Sequence, residues 1–129
     1  MQLLREVQAY DAAYEVQSQA VARYPDDVDL AYEQAMLAER LGKLDVMERQ
    51  LRAIIARQPG YQHAYNALGY SFAERGVKLQ EARELIAKAL QLAPGDPFIT
   101  DSLGWVEFKL GHREEAARLL QEAFRAQPD

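Results

Sequence analysis

Proline recurs along this chain at a nearly constant spacing. Pro25, Pro59, Pro94 and Pro128 follow one another at intervals of 34, 35 and 34 residues. A period between about 20 and 50 residues is typical of proteins built from stacked copies of one supersecondary unit. The seven glycines support this interpretation because they lie directly after a proline, 10 residues after one or 17 residues after one. In that order they are Gly60 and Gly95, Gly69 and Gly104, and Gly42, Gly76 and Gly111.

Helix-forming residues fill the segments between these marks. Ala, Leu, Glu, Arg and Gln dominate, apolar residues recur at three- and four-residue spacing, and no segment alternates with a period of two. Asp96 followed by Pro97 suits the first turn of a helix, and Asp26 or Asp27 suits the start of the segment ahead of Leu30. The chain is therefore predicted to be all-α, with helices at residues 28–41, 44–57, 62–75, 79–92, 97–110 and 113–126.

Small residues predict how these helices pair. Gly42, Gly76 and Gly111 suit the left-handed residue just past a helix end, so each is expected to separate two antiparallel helices. Gly69 and Gly104 lie in the middle of predicted helices, where glycine costs about 1 kcal/mol relative to alanine. We expect the close approach of a partner helix to explain that cost. Alanine occupies the matching small sites, which are Ala20, Ala35, Ala82, Ala89, Ala116 and Ala123.

The pattern resembles the tetratricopeptide repeat (TPR), a helix pair with a period of about 34 residues. The resemblance implies an α-solenoid of antiparallel helix pairs in a right-handed superhelix, with one domain over residues 1–129. Full repeats are predicted at 26–59, 60–94 and 95–128, after a partial repeat at 1–25 in which a second helix starts at Tyr10. Residues 66–70 and 101–105 are similar to repeats of proteobacterial envelope scaffold proteins. The matching residues are Leu68, Gly69, Phe72, Gly76, Ala82, Ala89, Leu90 and Pro94, and then Leu103, Gly104, Gly111, Ala116, Ala123 and Pro128.

Two departures from the family pattern lead to separate expectations. One extra residue lies between Gly76 and Ala82, which predicts a longer turn between the two helices of that pair. Glu107 stands where the family usually has an aromatic residue, and we expect the neighbouring Phe108 to take over that packing role.

By the resemblance, the first helix of each pair lines the inner surface of the solenoid and binds a peptide or a segment of a partner protein. Residues 4, 7, 11 and 14 positions after each proline share one face of that helix. The family's basic clamp for acidic peptide termini is absent, so we expect an apolar, aromatic-lined groove in which Asp29 and Asp101 favour positive charge. The candidate binding residues are Asp29, Tyr32, Met36, His63, Asn66, Tyr70, Phe98, Asp101, Trp105 and Phe108.

Two alternatives stay open at this level. Aromatic residues at helical spacing are commonly core residues, so Tyr70, Trp105 and Phe108 are either buried in the core or exposed in the groove.

The chain also begins within a repeat and stops directly after the last repeat's proline, without a capping helix. We therefore expect it to be part of a longer protein, and the alternative function is self-association, as a homodimer through the uncapped ends.

Other function classes find little support in the sequence. The formal net charge of −5 disfavours binding to nucleic acid, and the absence of cysteine excludes thiol and cysteine–metal chemistry. His63 and His112 show no metal-ligand spacing, and His112 is expected to be a solvated turn residue. Arg49, Arg52 and Arg57 are expected on a solvated face. We predict no enzyme activity, no cofactor and no membrane insertion by this chain. Its location stays open between the cytoplasm and, through segments outside this chain, the periplasm or outer membrane.

Overall fold

The computed structural model describes residues 2–126, with side chains from residue 5 onward. This part of the chain contains only α-helices as regular structure, and the all-α prediction is confirmed. The six predicted helices end within one residue of their expected positions; Pro128 lies outside the described residues. The helices are α1 (Gln2–Arg23), α2 (Val28–Arg40), α3 (Leu44–Arg57), α4 (Gln62–Arg75), α5 (Leu79–Leu92), α6 (Pro97–Lys109) and α7 (Arg113–Ala126).

The chain divides between Pro59 and Gly60 into two compact units. In the first unit α2 packs against both α1 and α3. In the second unit α4 pairs with α5, α6 pairs with α7, and α6 also packs against α4 and α5. The division falls at the boundary predicted between the repeats 26–59 and 60–94.

Helix α1 differs from the sequence prediction. It is one continuous helix of 22 residues that begins at Gln2, so the expectation that a helix starts at Tyr10 is wrong. The reason is local, because residues 2–9 contain neither glycine nor proline and nothing interrupts the helix before Tyr10. Contacts with α2 and the turn after it hold α1 in place. Arg40 Nη1 donates a hydrogen bond to the Tyr10 hydroxyl at 3.0 Å, and Lys43 Nζ lies 4.7 Å from the centre of the Tyr14 ring.

Aspartate caps begin α2 and α6 as the sequence predicts. The Asp27 carboxylate accepts a hydrogen bond from Leu30 N at 3.1 Å. The Asp96 carboxylate accepts hydrogen bonds from the first turn of α6, which Pro97 opens. Asp26 has a different role, because its carboxylate pairs with the Arg57 guanidinium at 2.9 Å. Arg57 is therefore tied to the start of its own repeat rather than only facing solvent.

The turn between α4 and α5 is longer than its counterparts, which confirms the effect expected of the extra residue. Val77 and Lys78 separate the left-handed Gly76 from α5, whereas one residue fills that place before α3 and before α7. Lys78 adopts a φ of 47°, a left-handed conformation that is uncommon for a residue with a side chain. The chain thus absorbs the insertion within the turn and leaves both helices intact.

The glycines in the middle of α4 and α6 lie against their partner helices, as predicted. A Cβ added to Gly69 would lie 2.6 Å from Ile86 Cγ1 and 2.9 Å from the Ala82 carbonyl oxygen on α5. A Cβ added to Gly104 would lie 2.9 Å from Leu120 Cγ on α7. Glycine therefore lets each helix pair approach more closely than alanine would.

A buried carboxylate occupies the position where the family usually has an aromatic residue. Glu107 is only 3% exposed, and its carboxylate accepts a hydrogen bond from Arg83 Nε on α5 at 3.1 Å. His112, in the turn before α7, lies with Nδ1 2.8 Å from the same carboxylate. The expectation that Phe108 replaces this packing is wrong, because Phe108 is 49% exposed and Glu107 keeps its own site through charged partners.

Candidate functional site

Most of the predicted binding residues lie on one face of the second unit. Helices α4 and α6 are the first helices of the two pairs in this unit, and they pack against each other. We call the exposed side of these two helices the α4/α6 face. Seven candidate residues belong to it: His63, Asn66 and Tyr70 on α4, and Phe98, Asp101, Trp105 and Phe108 on α6.

A cavity of about 300 Å³ brings three of these residues together. Tyr70 from α4 and both Asp101 and Trp105 from α6 line it. Two further residues line the cavity that the sequence did not indicate, Glu74 on α4 and Leu120 on α7. Glu74 lies one helical turn after Tyr70, 15 residues after Pro59, and so fell just outside the positions counted from the prolines.

Exposure separates face residues from core residues more clearly than the sequence did. Tyr70 is 40% exposed and Phe108 is 49% exposed, whereas Leu68 and Phe72 on α4 are buried. Ala73 also lies on the predicted face but is fully buried, so that position belongs to the core in this repeat. Of the open alternatives, Tyr70 and Phe108 are exposed surface residues rather than core residues.

Trp105 stands at the centre of an aromatic cluster on α6. Its ring stacks on the Phe108 ring at a centroid distance of 5.7 Å and an interplanar angle of 16°. Lys109 places its Nζ 4.9 Å from the centre of the Trp105 ring. The half-buried indole thus packs against two side chains from the next turn of the same helix.

Two polar atoms on this face have no hydrogen-bond partner among the described residues. They are the side-chain oxygen Oδ1 of Asn66 and the indole nitrogen Nε1 of Trp105, both shielded from solvent. Buried donors and acceptors are usually satisfied, because an unpaired one costs about 1–3 kcal/mol. Both atoms lie beneath the surface of this face, so a ligand would reach either of them only after neighbouring side chains move.

Other candidate residues lie away from the cavity. Phe98 is 71% exposed at the first turn of α6, and His63 is exposed with its ring edge-on to Tyr61 at 5.9 Å. Neither residue lines the cavity. They extend the α4/α6 face toward the N-terminal ends of both helices.

The remaining three candidates belong to α2 in the first unit. Asp29 is exposed, while Tyr32 and Met36 are half-buried. Burial, reinforced by the nearby Glu39 carboxylate, raises the pKa of Tyr32 above the ordinary value of 10.0. Tyr32 is therefore neutral at physiological pH and offers a hydroxyl and a partly covered ring.

The described residues offer no constellation for metal chemistry. Within residues 2–126, no three histidine or acidic side chains are grouped so that they could hold a metal ion. His63 lies on α4. His112 lies in the turn between α6 and α7, where its Nδ1 is within hydrogen-bond distance of the Glu107 carboxylate. In the same residues no helix has the length and apolar character that crossing a bilayer requires.

Comparison with known proteins agrees with this repeat architecture. The tetratricopeptide repeat family model matches residues 32–97. A TPR repeat-containing protein of Pseudomonas aeruginosa, PA4667, is 43% identical over 119 residues, which is 92% of this chain. The chain spans about a fifth (20%) of the length of that relative.

Two solved structures have the same fold. TTC0263, a thermophilic TPR protein of Thermus thermophilus, matches with a TM-score of 0.83 and 24% identity, over 97% of this chain and 70% of that one. MamA from Desulfovibrio magneticus RS-1 matches with a TM-score of 0.78 and 20% identity, over 95% and 69% of the two chains. The family model covers just over half of the 129 residues. The chain therefore belongs to the tetratricopeptide repeat family.

Proposed function

We propose that residues 1–129 act as one TPR domain, a non-enzymatic scaffold whose α4/α6 face binds a segment of a partner protein. The observation that carries this proposal is the cavity that Tyr70, Asp101 and Trp105 line together from two neighbouring first helices. Exposed aromatic residues beside a cavity are typical of protein-recognition sites, because they bury a large area at a low cost in conformational entropy.

The size of the aromatic surface sets the expected affinity. Tyr70, Trp105 and Phe108 provide anchors that each contribute roughly 1–2 kcal/mol once a ligand covers them. Two or three such anchors suit a dissociation constant on the order of micromolar. Both an extended segment and an amphipathic helix present side chains at spacings that two neighbouring helices can hold. The Asn66 side chain would form a hydrogen bond with the backbone of the ligand once its buried amide turns toward the surface.

Selection from a displayed library of random peptides tests the proposal without a known partner. The purified chain is the target, and the affinity of a selected peptide is then measured for the unchanged chain, Trp105→Ala and Tyr70→Ala. We expect each substitution to weaken binding about tenfold, because it removes one anchor. Tyr24→Ala is the matched control, since Tyr24 is an exposed aromatic residue (54%) in the first unit that does not line the cavity.

Folding must be separated from binding in this experiment. Circular dichroism and the thermal midpoint of each variant report whether the helices are intact. Equal affinity of the peptide for the unchanged chain and for folded Trp105→Ala and Tyr70→Ala would contradict the proposal. A loss of affinity in Tyr24→Ala equal to that in Trp105→Ala would also contradict it, because binding would then not be specific to the α4/α6 face.

Self-association is the second candidate function, and exposed residues of α7 favour it. Ile86 on α5 and Leu120 on α7 both lie eight residues before a repeat proline, and both lie against the glycine of their own helix pair. Ile86 is fully buried in the unit where α6 follows α5, whereas Leu120 is 37% exposed. Leu120 and the exposed Phe124 lie one turn apart and give α7 an apolar surface, suited to packing against another helix.

Sedimentation velocity over a range of protein concentrations tests this second candidate. Association through this α7 surface predicts a shift from monomer to dimer as concentration rises, and a weaker shift in Phe124→Ser. A monomer at every concentration, or an unchanged dimer in Phe124→Ser, would contradict association through this surface.

A further inference from the structure

We propose that the cavity of the α4/α6 face binds a basic side chain, arginine or lysine, of the partner segment. This inference rests on the proposed function and specifies the chemistry of its ligand. The cavity contains two carboxylates, Glu74 and Asp101, and no basic residue among those that line it. Its charge and its aromatic walls together match a cationic side chain with an apolar stem.

The two carboxylates are not neutralised within the protein. Neither Glu74 nor Asp101 forms an ion pair or a side-chain hydrogen bond within residues 2–126, and both are exposed. Glu107 and Glu115, by contrast, are each paired with an arginine of this unit. Two carboxylates that line one cavity give it negative charge, to which a cationic side chain is complementary.

Each of the two helices contributes one aromatic and one acidic side chain to the cavity lining. Tyr70 and Glu74 are one turn apart on α4, and Asp101 and Trp105 are one turn apart on α6. A basic side chain placed between the helices would contact rings along its methylene stem and carboxylates at its head. A cavity of about 300 Å³ is large enough for one such side chain, although not for a folded element.

Lys109 shows that this aromatic cluster attracts a cation. Its ammonium lies over the Trp105 ring at 4.9 Å, while the other ring contact of Trp105 is the stacked Phe108. A ligand cation would therefore be held mainly by the carboxylates and by Tyr70, whose ring is 40% exposed. Lys109 does not line the cavity, so it leaves the two carboxylates available.

The experiment uses peptides selected on the full chain from a displayed random library. We expect the selected sequences to share an arginine or lysine at a fixed distance from an apolar residue. One selected peptide is then synthesised in two forms, with the basic residue or with its neutral counterpart, citrulline for arginine and acetyl-lysine for lysine. The neutral form should bind the unchanged chain about tenfold more weakly, because a charge-assisted pair is lost.

A variant without the two carboxylates tests whether the difference in affinity between the charged and neutral peptides arises at this cavity. In the double variant Glu74→Gln with Asp101→Asn, the two peptide forms should bind with affinities within about twofold of each other. Glu84→Gln with Glu114→Gln is the matched control, since it removes two exposed carboxylates of the same unit that do not line the cavity, and it should keep the tenfold difference.

The outcomes distinguish this inference from the proposed function. Selected peptides without a shared basic residue, or equal binding of the charged and neutral forms to the unchanged chain, would overturn the inference. If such peptides still lost affinity in Trp105→Ala, the proposed function would stand and only the basic ligand would be wrong. Peptides whose affinity is independent of Trp105 and Tyr70 would overturn both.

Discussion

Nδ1 of His112 lies 2.8 Å from Oε1 of Glu107, a carboxylate that is almost completely buried. The other oxygen of Glu107 accepts a hydrogen bond from Arg83 on α5. One side chain of α6 therefore joins the preceding helix pair to the turn that leads into α7. Such a carboxylate loses most of its hydration when the protein folds. The hydrogen bonds with its two partners compensate for that loss.

Removing the acceptor at this junction should destabilise the second unit. We expect Glu107→Ala to lower the free energy of unfolding by about 2 kcal/mol, through the lost hydrogen bonds and the space left behind. Urea denaturation followed by circular dichroism measures this change. Glu115→Ala is the matched control, since Glu115 is paired with Arg118 at the surface, where solvent screens the pair, and its loss should cost much less. An equal cost for the two substitutions would contradict the role assigned to Glu107.

Close packing at Gly69 leads to a second prediction. Alanine favours helix over glycine by about 1 kcal/mol, yet we expect Gly69→Ala to destabilise the protein by about 1–3 kcal/mol. The added methyl would meet Ile86 and the Ala82 carbonyl, and a backbone carbonyl cannot move aside cheaply. Gly60→Ala is the control, because a Cβ there has no atom within 4 Å. Thermal unfolding compares the two, and a Gly69→Ala protein as stable as Gly60→Ala would contradict the close approach of α4 and α5.

Gly104→Ala should have a milder effect than Gly69→Ala. The added methyl would meet mainly Leu120, a partly exposed side chain that is able to shift toward solvent. We expect a loss of stability smaller than that of Gly69→Ala by about 1 kcal/mol. The same thermal unfolding series measures the difference, and a larger loss in Gly104→Ala would show that Leu120 is held more tightly than its exposure indicates.

The raised pKa of Tyr32 leads us to expect that the free energy of unfolding falls at alkaline pH. Burial, with the Glu39 carboxylate in second place, raises its pKa above 10.0, so the folded state keeps the phenol proton longer than the unfolded state does. The stability that this provides is fully present below pH 10.0 and is lost as the pH rises through the pKa of the folded state. Urea denaturation from about pH 8 to about pH 11 should show a smaller alkaline loss in Tyr32→Phe than in the unchanged chain. A steeper loss in Tyr32→Phe would contradict the raised pKa.

The repeat frame was predictable from the sequence because it depends on backbone chemistry that few residues satisfy. Gly76 and Gly111 adopt the left-handed conformation expected of them, and Asp96 caps its helix as expected. The start of α1 was not predictable in this way, because the sequence carries a repeat signal at Ala20 but no signal at Gln2, where the helix begins.

The candidate site was only partly predictable, because side-chain partners depend on packing between helices. Counting from the prolines identified Tyr70, Asp101 and Trp105, which share a cavity. It missed Glu74, one position beyond the counted face. The sequence also led us to expect Phe108 at the buried site that Glu107 occupies. Glu107 fills that site itself, because Arg83 on α5 and His112 in the turn before α7 bind its carboxylate. Charged partners brought from another helix leave no periodic signal in a sequence.

Fluorescence of Trp105, the chain's single tryptophan, tests most directly whether the α4/α6 face binds a partner segment. A tryptophan-free selected peptide is titrated into the unchanged chain, while the anisotropy of a labelled copy of the peptide measures binding independently. Because Trp105 lines the cavity, we predict a saturable change in its emission with the same dissociation constant as the anisotropy curve, and a weakened curve in Tyr70→Ala. Binding seen by anisotropy with unchanged Trp105 emission would contradict the account, since the peptide would then be held elsewhere.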